Sequence, residues 1–202
     1  MNIALLIAGG SGNRMGQDIP KQFMHVDGVP IIIRTMQCFQ QHPDVSAIAV
    51  VCLNGWETVL QSYANQFMID KLKWIFPGGN TGMESIHNGV YGLKEMGCND
   101  EDLVLIHDGV RPLIDSETIS NNIASVKKYG TAITCTVAKE TVILVDKDNN
   151  VSEVPSREQS RFAKAPQSFW LKEILDVERQ AINEGKTDMI DSCTLMRHYG
   201  KK

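Results

Sequence analysis

Residues 8–23 bring together groups that could handle a polyphosphate. The run Ala8-Gly9-Gly10-Ser11-Gly12-Asn13-Arg14-Met15-Gly16, followed by Pro20-Lys21-Gln22-Phe23, sets glycines beside two cations. Glycines let backbone amides approach an anion where a side chain would block them. Arg14 and Lys21 can neutralise a triphosphate and the charge that develops as it reacts. The same residues could form an exposed turn with ordinary solvated bases. Their place directly after the first apolar run, where α/β sheets bind ligands, favours a site. Two familiar glycine loops fit poorly. A P-loop needs Gly-Lys followed by Ser or Thr, and none occurs. A dinucleotide fingerprint needs a glycine where Met15 stands and an acid where Cys52, Leu53 and Asn54 follow one another.

Three other stretches could complete such a site. Asp108, in Asp108-Gly109-Val110-Arg111-Pro112, ends an apolar run. One carboxylate there suits Mg2+, which takes few carboxylates and fills its shell with phosphate oxygens and water. Arg111 could meet a phosphate or orient its neighbours, although a structural Asp–Arg pair is an equal alternative. His107 reads as a packed histidine. Gly78 and Gly79, with Ser85 beyond them, could hold a nucleobase through close backbone approach and a hydroxyl. Thr141 and Arg157, a hydroxyl and a base, suit a polyol phosphate, but hairpin residues of these types are commonly just solvated.

The elements needed to position these groups are legible in the apolar pattern. Asn2 to Ala8, Ser46 to Leu53, Lys73 to Phe76, Asp102 to His107 and Thr131 to Val137 read as strands. Pro30 can open a helix with Ile32, Met36 and Phe39 on one face. Trp56 to Met68, Glu84 to Met96, a helix capped by Ser116, Lys172 to Glu184 and Met189 to Tyr199 complete the helices. This alternation predicts an α/β fold in one domain, with a mostly parallel sheet covered on both sides. Thr141 to Val145 and Val151 to Val154, joined by a polar turn, predict a hairpin within an arm of about residues 139–160. Its small apolar surface should pack on something else, and a second copy of the chain is a good candidate.

Composition narrows the class. The 202 residues carry a formal net charge of −4, against a general nucleic-acid binder. Cys38, Cys52, Cys98, Cys135 and Cys193 form no C-x-x-C pair, and Cys52 and Cys135 read as core. No apolar stretch is long enough to span a bilayer, and Met1 to Ala8 lacks the basic start of a signal peptide, so a cytoplasmic location is expected.

Taken in order, AGGSGNRMG, PKQF, HDGVRP, a threonine in a projecting arm, and PSR followed by APQ resemble the cytidylyltransferases that act on 2-C-methyl-D-erythritol 4-phosphate or D-ribitol 5-phosphate. The resemblance covers essentially the whole chain. It implies a Rossmann-like three-layer sandwich, a homodimer with exchanged arms, and an Mg2+-dependent reaction of CTP with a polyol phosphate. By the same resemblance, Arg14 and Lys21 stabilise the pentacoordinate α-phosphorus, Asp108 holds the metal and Arg111 supports the site. Ser85 helps hold the cytidine, and Thr141 and Arg157 reach the acceptor phosphate of the partner subunit. The chain departs from the pattern at Ala165, where threonine is usual, and at Gly82, where arginine is frequent. The family's last strand and Asn-x-Lys motif lie beyond Lys202, so a longer natural chain is expected. A uridylyl- or guanylyltransferase and a non-catalytic nucleotide-binding protein are the alternatives; a dehydrogenase fits least.

Overall fold

A computed structural model describes residues 1–10, 19–186 and 189–200. The order is β1 (Asn2–Ala8), a 3-10 turn (Lys21–Phe23), the short pair β2 (His25–Val26) and β3 (Val29–Pro30), α1 (Ile31–Gln41), β4 (Ala47–Cys52), α2 (Glu57–Gln66), β5 (Leu72–Pro77), α3 (Gly82–Glu95), β6 (Leu103–Asp108), α4 (Ser116–Tyr129), β7 (Thr131–Val137), β8 (Leu144–Val145), β9 (Val151–Glu153), β10 (Arg161–Trp170), α5 (Leu171–Asn183) and α6 (Ser192–His198). Six strands form the main sheet in the order β5-β4-β1-β6-β10-β7. β5, β4, β1 and β6 pair in parallel, whereas β10 runs antiparallel to both β6 and β7.

Strand side chains alternate faces, and both faces of this sheet are apolar. Ala4, Leu6, Ile48, Val50, Leu103 and Leu105 pack with helices α1, α2 and α4. Ile3, Leu5, Ala49, Val51, Val104 and Ile106 pack with α3, α5 and α6. The result is the expected three-layer α/β sandwich. It explains the uninterrupted apolar runs, since strands covered on both sides have no solvent face to mark with polar residues.

The structure corrects three sequence readings. The cap of α4 is Asp115, whose carboxylate accepts from Thr118 N at 2.7 Å, and Ser116 is the first helical residue. Cys135 is exposed, because the far half of β7, though still paired with β10, runs beyond the buried cores. β10 is an addition to the expected strands: its sequence RFAKAPQSFW holds two cations and a proline, a poor advertisement for a strand between two others. The first half of β10 pairs with the end of β7, Arg161 opposite Val137 and Ala163 opposite Cys135. This ribbon leads into the projecting arm that carries β8 and β9.

Candidate active site

The open ends of β1, β4, β5 and β6 gather most of the predicted residues. Ala8 and Gly9 leave β1 buried, and Gly9 lies against Gly78 at the end of β5. A Cβ on Gly9 would meet Gly78 Cα and Ser85 Oγ, both at 2.9 Å. A Cβ on Gly78 would meet Gly9 Cα at 2.8 Å and the Cys52 carbonyl at 2.9 Å. Two loops thus touch backbone to backbone, a contact only glycine allows. Gly78 N also donates to Cys52 O at 2.7 Å.

Ser85 locks the second loop. Its hydroxyl accepts from Gly79 N at 3.0 Å and donates to Thr81 O at 3.0 Å. Thr81 caps α3 by accepting from Glu84 N, and Glu84 reaches back to Asn80 N at 2.7 Å. The first turn of α3 is therefore held from both sides beside the paired glycines.

Lys21 and Gln22 stand on the 3-10 turn, with Lys21 exposed and Gln22 buried. The Gln22 side chain donates to Ala8 O at 2.8 Å and Gly10 O at 2.9 Å. Phe23 anchors the same turn by stacking on Trp56 at 4.7 Å between centroids. Ser11, Gly12, Asn13 and Arg14 lie outside the described residues.

Asp108 ends β6, half-exposed, and pairs with Arg111. Gly109 follows where a Cβ would strike Ile32 and Ala8, and its amide donates to Ile7 O at 2.9 Å. Buried His107 reaches the Arg111 carbonyl through Nε2 at 3.0 Å. Burial pushes its pKa below the usual imidazole value, in keeping with a packed, neutral histidine. Among the described residues, no group of three or more His, Cys, Asp or Glu side chains could share a metal ion. Asp108 offers one carboxylate, which fits an ion completed by phosphate and water. Beside this loop a cavity of about 420 Å³ is lined by His107, Arg111, Thr118, Thr134, Lys164 and Ala165.

Thr141 and Arg157 are joined to each other rather than to these strand ends. Arg157 Nη2 donates to Thr141 Oγ1 at 2.9 Å, and both side chains are exposed on the arm. Sequence reasoning quoted Gln22 and Gln167 inside motifs without giving them work. Gln167 donates to Asp191 Oδ2 at 3.0 Å and accepts from Cys193 N at 2.9 Å, fastening β10 to the start of α6.

Paired glycine loops, a capped helix and one carboxylate at the carboxyl ends of a parallel sheet make a site where Rossmann-like α/β proteins hold nucleotides. Comparison with known proteins narrows this. Residues 2–202 match the family model described as IspD: 2-C-methyl-D-erythritol 4-phosphate cytidylyltransferase, and the chain belongs to that family of cytidylyltransferases. It is 47% identical to a ribitol-5-phosphate cytidylyltransferase of Streptococcus agalactiae serotype III (strain NEM316), covering 100% of this chain and 84% of the relative. It is 36% identical to a 2-C-methyl-D-erythritol 4-phosphate cytidylyltransferase of Clostridium tetani (strain Massachusetts / E88), over 98% of this chain and 78% of the relative. The crystal structure of 4-diphosphocytidyl-2C-methyl-D-erythritol synthase from Anaerococcus prevotii DSM 20548 superposes with a TM-score of 0.83 at 25% identity, covering 100% of this chain and 84% of that one.

Proposed function

We propose that this cytidylyltransferase joins CTP to D-ribitol 5-phosphate, releasing pyrophosphate and forming CDP-ribitol. The observation that carries the nucleotide half is the contact of Gly9 with Gly78 beside Ser85, which leaves bare backbone where a base and phosphates can lie. The acceptor is argued from similarity: relatives bearing the ribitol name reach 47% identity and one bearing the methylerythritol name reaches 36%.

An oxygen of the acceptor phosphate attacks the α-phosphorus of CTP, and the bond to the pyrophosphate oxygen breaks. That oxygen is already a nucleophile, so the protein's task is positioning and charge stabilisation rather than proton removal. Lys21 and Arg14 meet the negative charge on the α-phosphate. Asp108 would hold Mg2+, which neutralises the phosphates, and Arg111 fixes the Asp108 carboxylate. Thr141 and Arg157 form one donor set, presented on the arm to the acceptor phosphate of a second copy in a homodimer.

The test is pyrophosphate release with CTP and Mg2+, offered D-ribitol 5-phosphate or 2-C-methyl-D-erythritol 4-phosphate, with UTP and GTP as competitors. It is run on this chain and on one extended by an Asn-x-Lys segment. The expected result is turnover with CTP and the ribitol ester. Turnover with the methylerythritol ester alone would overturn the acceptor assignment. CTP binding without turnover in either chain would favour a non-catalytic nucleotide-binding protein.

A further inference from the structure

Gln22 is only 3% exposed, although its neighbour Lys21 stands in solvent. A buried amide needs partners, and this one has two. Nε2 donates to Ala8 O at 2.8 Å and to Gly10 O at 2.9 Å. Both partners are carbonyl oxygens, so only the NH2 end of the side chain fits there, and both its hydrogens are used. One amide group therefore spans Gly9, the residue that lies against Gly78. Anions are held by backbone N–H groups and repelled by carbonyl oxygens, and here the two carbonyls are turned to Gln22.

The same residue is the middle of the turn that carries Lys21. Pro20 O accepts from Phe23 N at 2.8 Å, Lys21 O accepts from Met24 N at 3.2 Å, and buried Phe23 stacks on Trp56. The turn is closed on itself, and the Gln22 amide ties it to the glycine loop. We infer that Gln22 is a positioning residue of the cytidylyl transfer: it holds Lys21 at a fixed offset from the backbone of Ala8, Gly9 and Gly10, so that cation and loop meet the same phosphates. Gln22 has this work only if Lys21 and the glycine loop serve CTP as proposed above.

Gln22→Met keeps the length of the side chain and removes both donors. Gln22→Glu keeps its shape but sets an acceptor against two acceptors. Each should lower kcat for pyrophosphate release by between about tenfold and 100-fold, the cost of a misplacement of about 1 Å. The CTP KM should change less than about threefold, since Lys21 acts on charge that develops in the transition state. In the Lys21→Ala chain the added Gln22→Met change should cost less than about threefold, because residues that act as one unit are not additive. Losses that multiply in the double variant would make Gln22 a packing residue and overturn the inference. So would natural kcat in either single variant, or a loss felt only in the CTP KM. If a variant fails to fold, NMR of the natural chain decides. Both Gln22 side-chain amide protons should exchange slowly with solvent and shift as CTP saturates; fast exchange, or no shift with CTP bound, overturns the inference. Where the natural chain itself shows no turnover, the function proposed above fails and Gln22 has no reaction to serve.

Discussion

Gly78 shows how much one missing carbon atom can govern. An alanine there would drive its Cβ to 2.8 Å from Gly9 Cα and 2.9 Å from the Cys52 carbonyl, both backbone atoms with little room to yield. Gly78→Ala should therefore cost about 1–3 kcal/mol in urea unfolding, and should weaken CTP binding by separating the two loops. An unchanged CTP affinity would show that the contact serves packing alone. Lys21 poses a different question, because it is exposed and its proposed role is toward the reacting charge. Lys21→Ala should lower kcat by about 100-fold, as loss of one transition-state donor does. A change confined to the CTP KM would make it a ground-state binder. The glycines were legible in the sequence because a run of them has few other uses. Their partners were not, since nothing local shows that Gly9 meets Gly78. Gln22 was harder still: a lone glutamine carries no signal until β1 has left the Ala8 and Gly10 carbonyls waiting for a donor.

At the scale of elements, most strands and helices could be read because apolar periodicity records burial on both faces of the sheet. β10 could not, for Arg161, Lys164 and Pro166 disguise a strand whose outer half is exposed. The arm was visible as two short β-rich runs around Asp146-Lys147-Asp148-Asn149-Asn150, and it exposes Val137, Ile143, Leu144, Val145, Val151, Val154 and Phe162. Exposed apolar side chains concentrated on one segment suit the association face that the proposed homodimer needs. If the arm forms the proposed dimer, the natural chain should run as a dimer and Leu144→Asp as a monomer in light scattering coupled to size exclusion, with the far-ultraviolet spectrum unchanged. A dimer that persists would place the interface elsewhere. Arg157→Ala, which frees Thr141 as well as removing a cation, should raise the acceptor KM about tenfold or more while leaving the CTP KM alone. Equal rises in both constants would remove the arm from the acceptor site.

Across the whole molecule, two apolar cores hold one sheet between them, and Glu178 is a charge buried in the second. Burial pushes its carboxyl above the ordinary 4.5, with His87 pulling the other way. The folded chain thus holds this proton more tightly than the unfolded chain. The stabilisation is complete below pH 4.5 and is lost as pH rises through the folded value. Glu178→Leu should erase that slope: its Tm at pH 7 should equal or exceed that of the natural chain, and the difference should shrink or reverse near pH 4. Parallel melting curves for the two chains at every pH would mean that the carboxyl does not titrate with folding.

Sheet order carries a consequence for birth on the ribosome. β10 is made after both β6 and β7, yet it lies between them and pairs with each. Until Trp170 has emerged, β6 has one bare flank and β7 lacks its β10 partner, so the nascent protein must carry unpaired strand edges through the synthesis of its own arm. Chains released between Val137 and Arg161 should therefore clump, whereas those long enough to include β10 and α5 should stay dispersed.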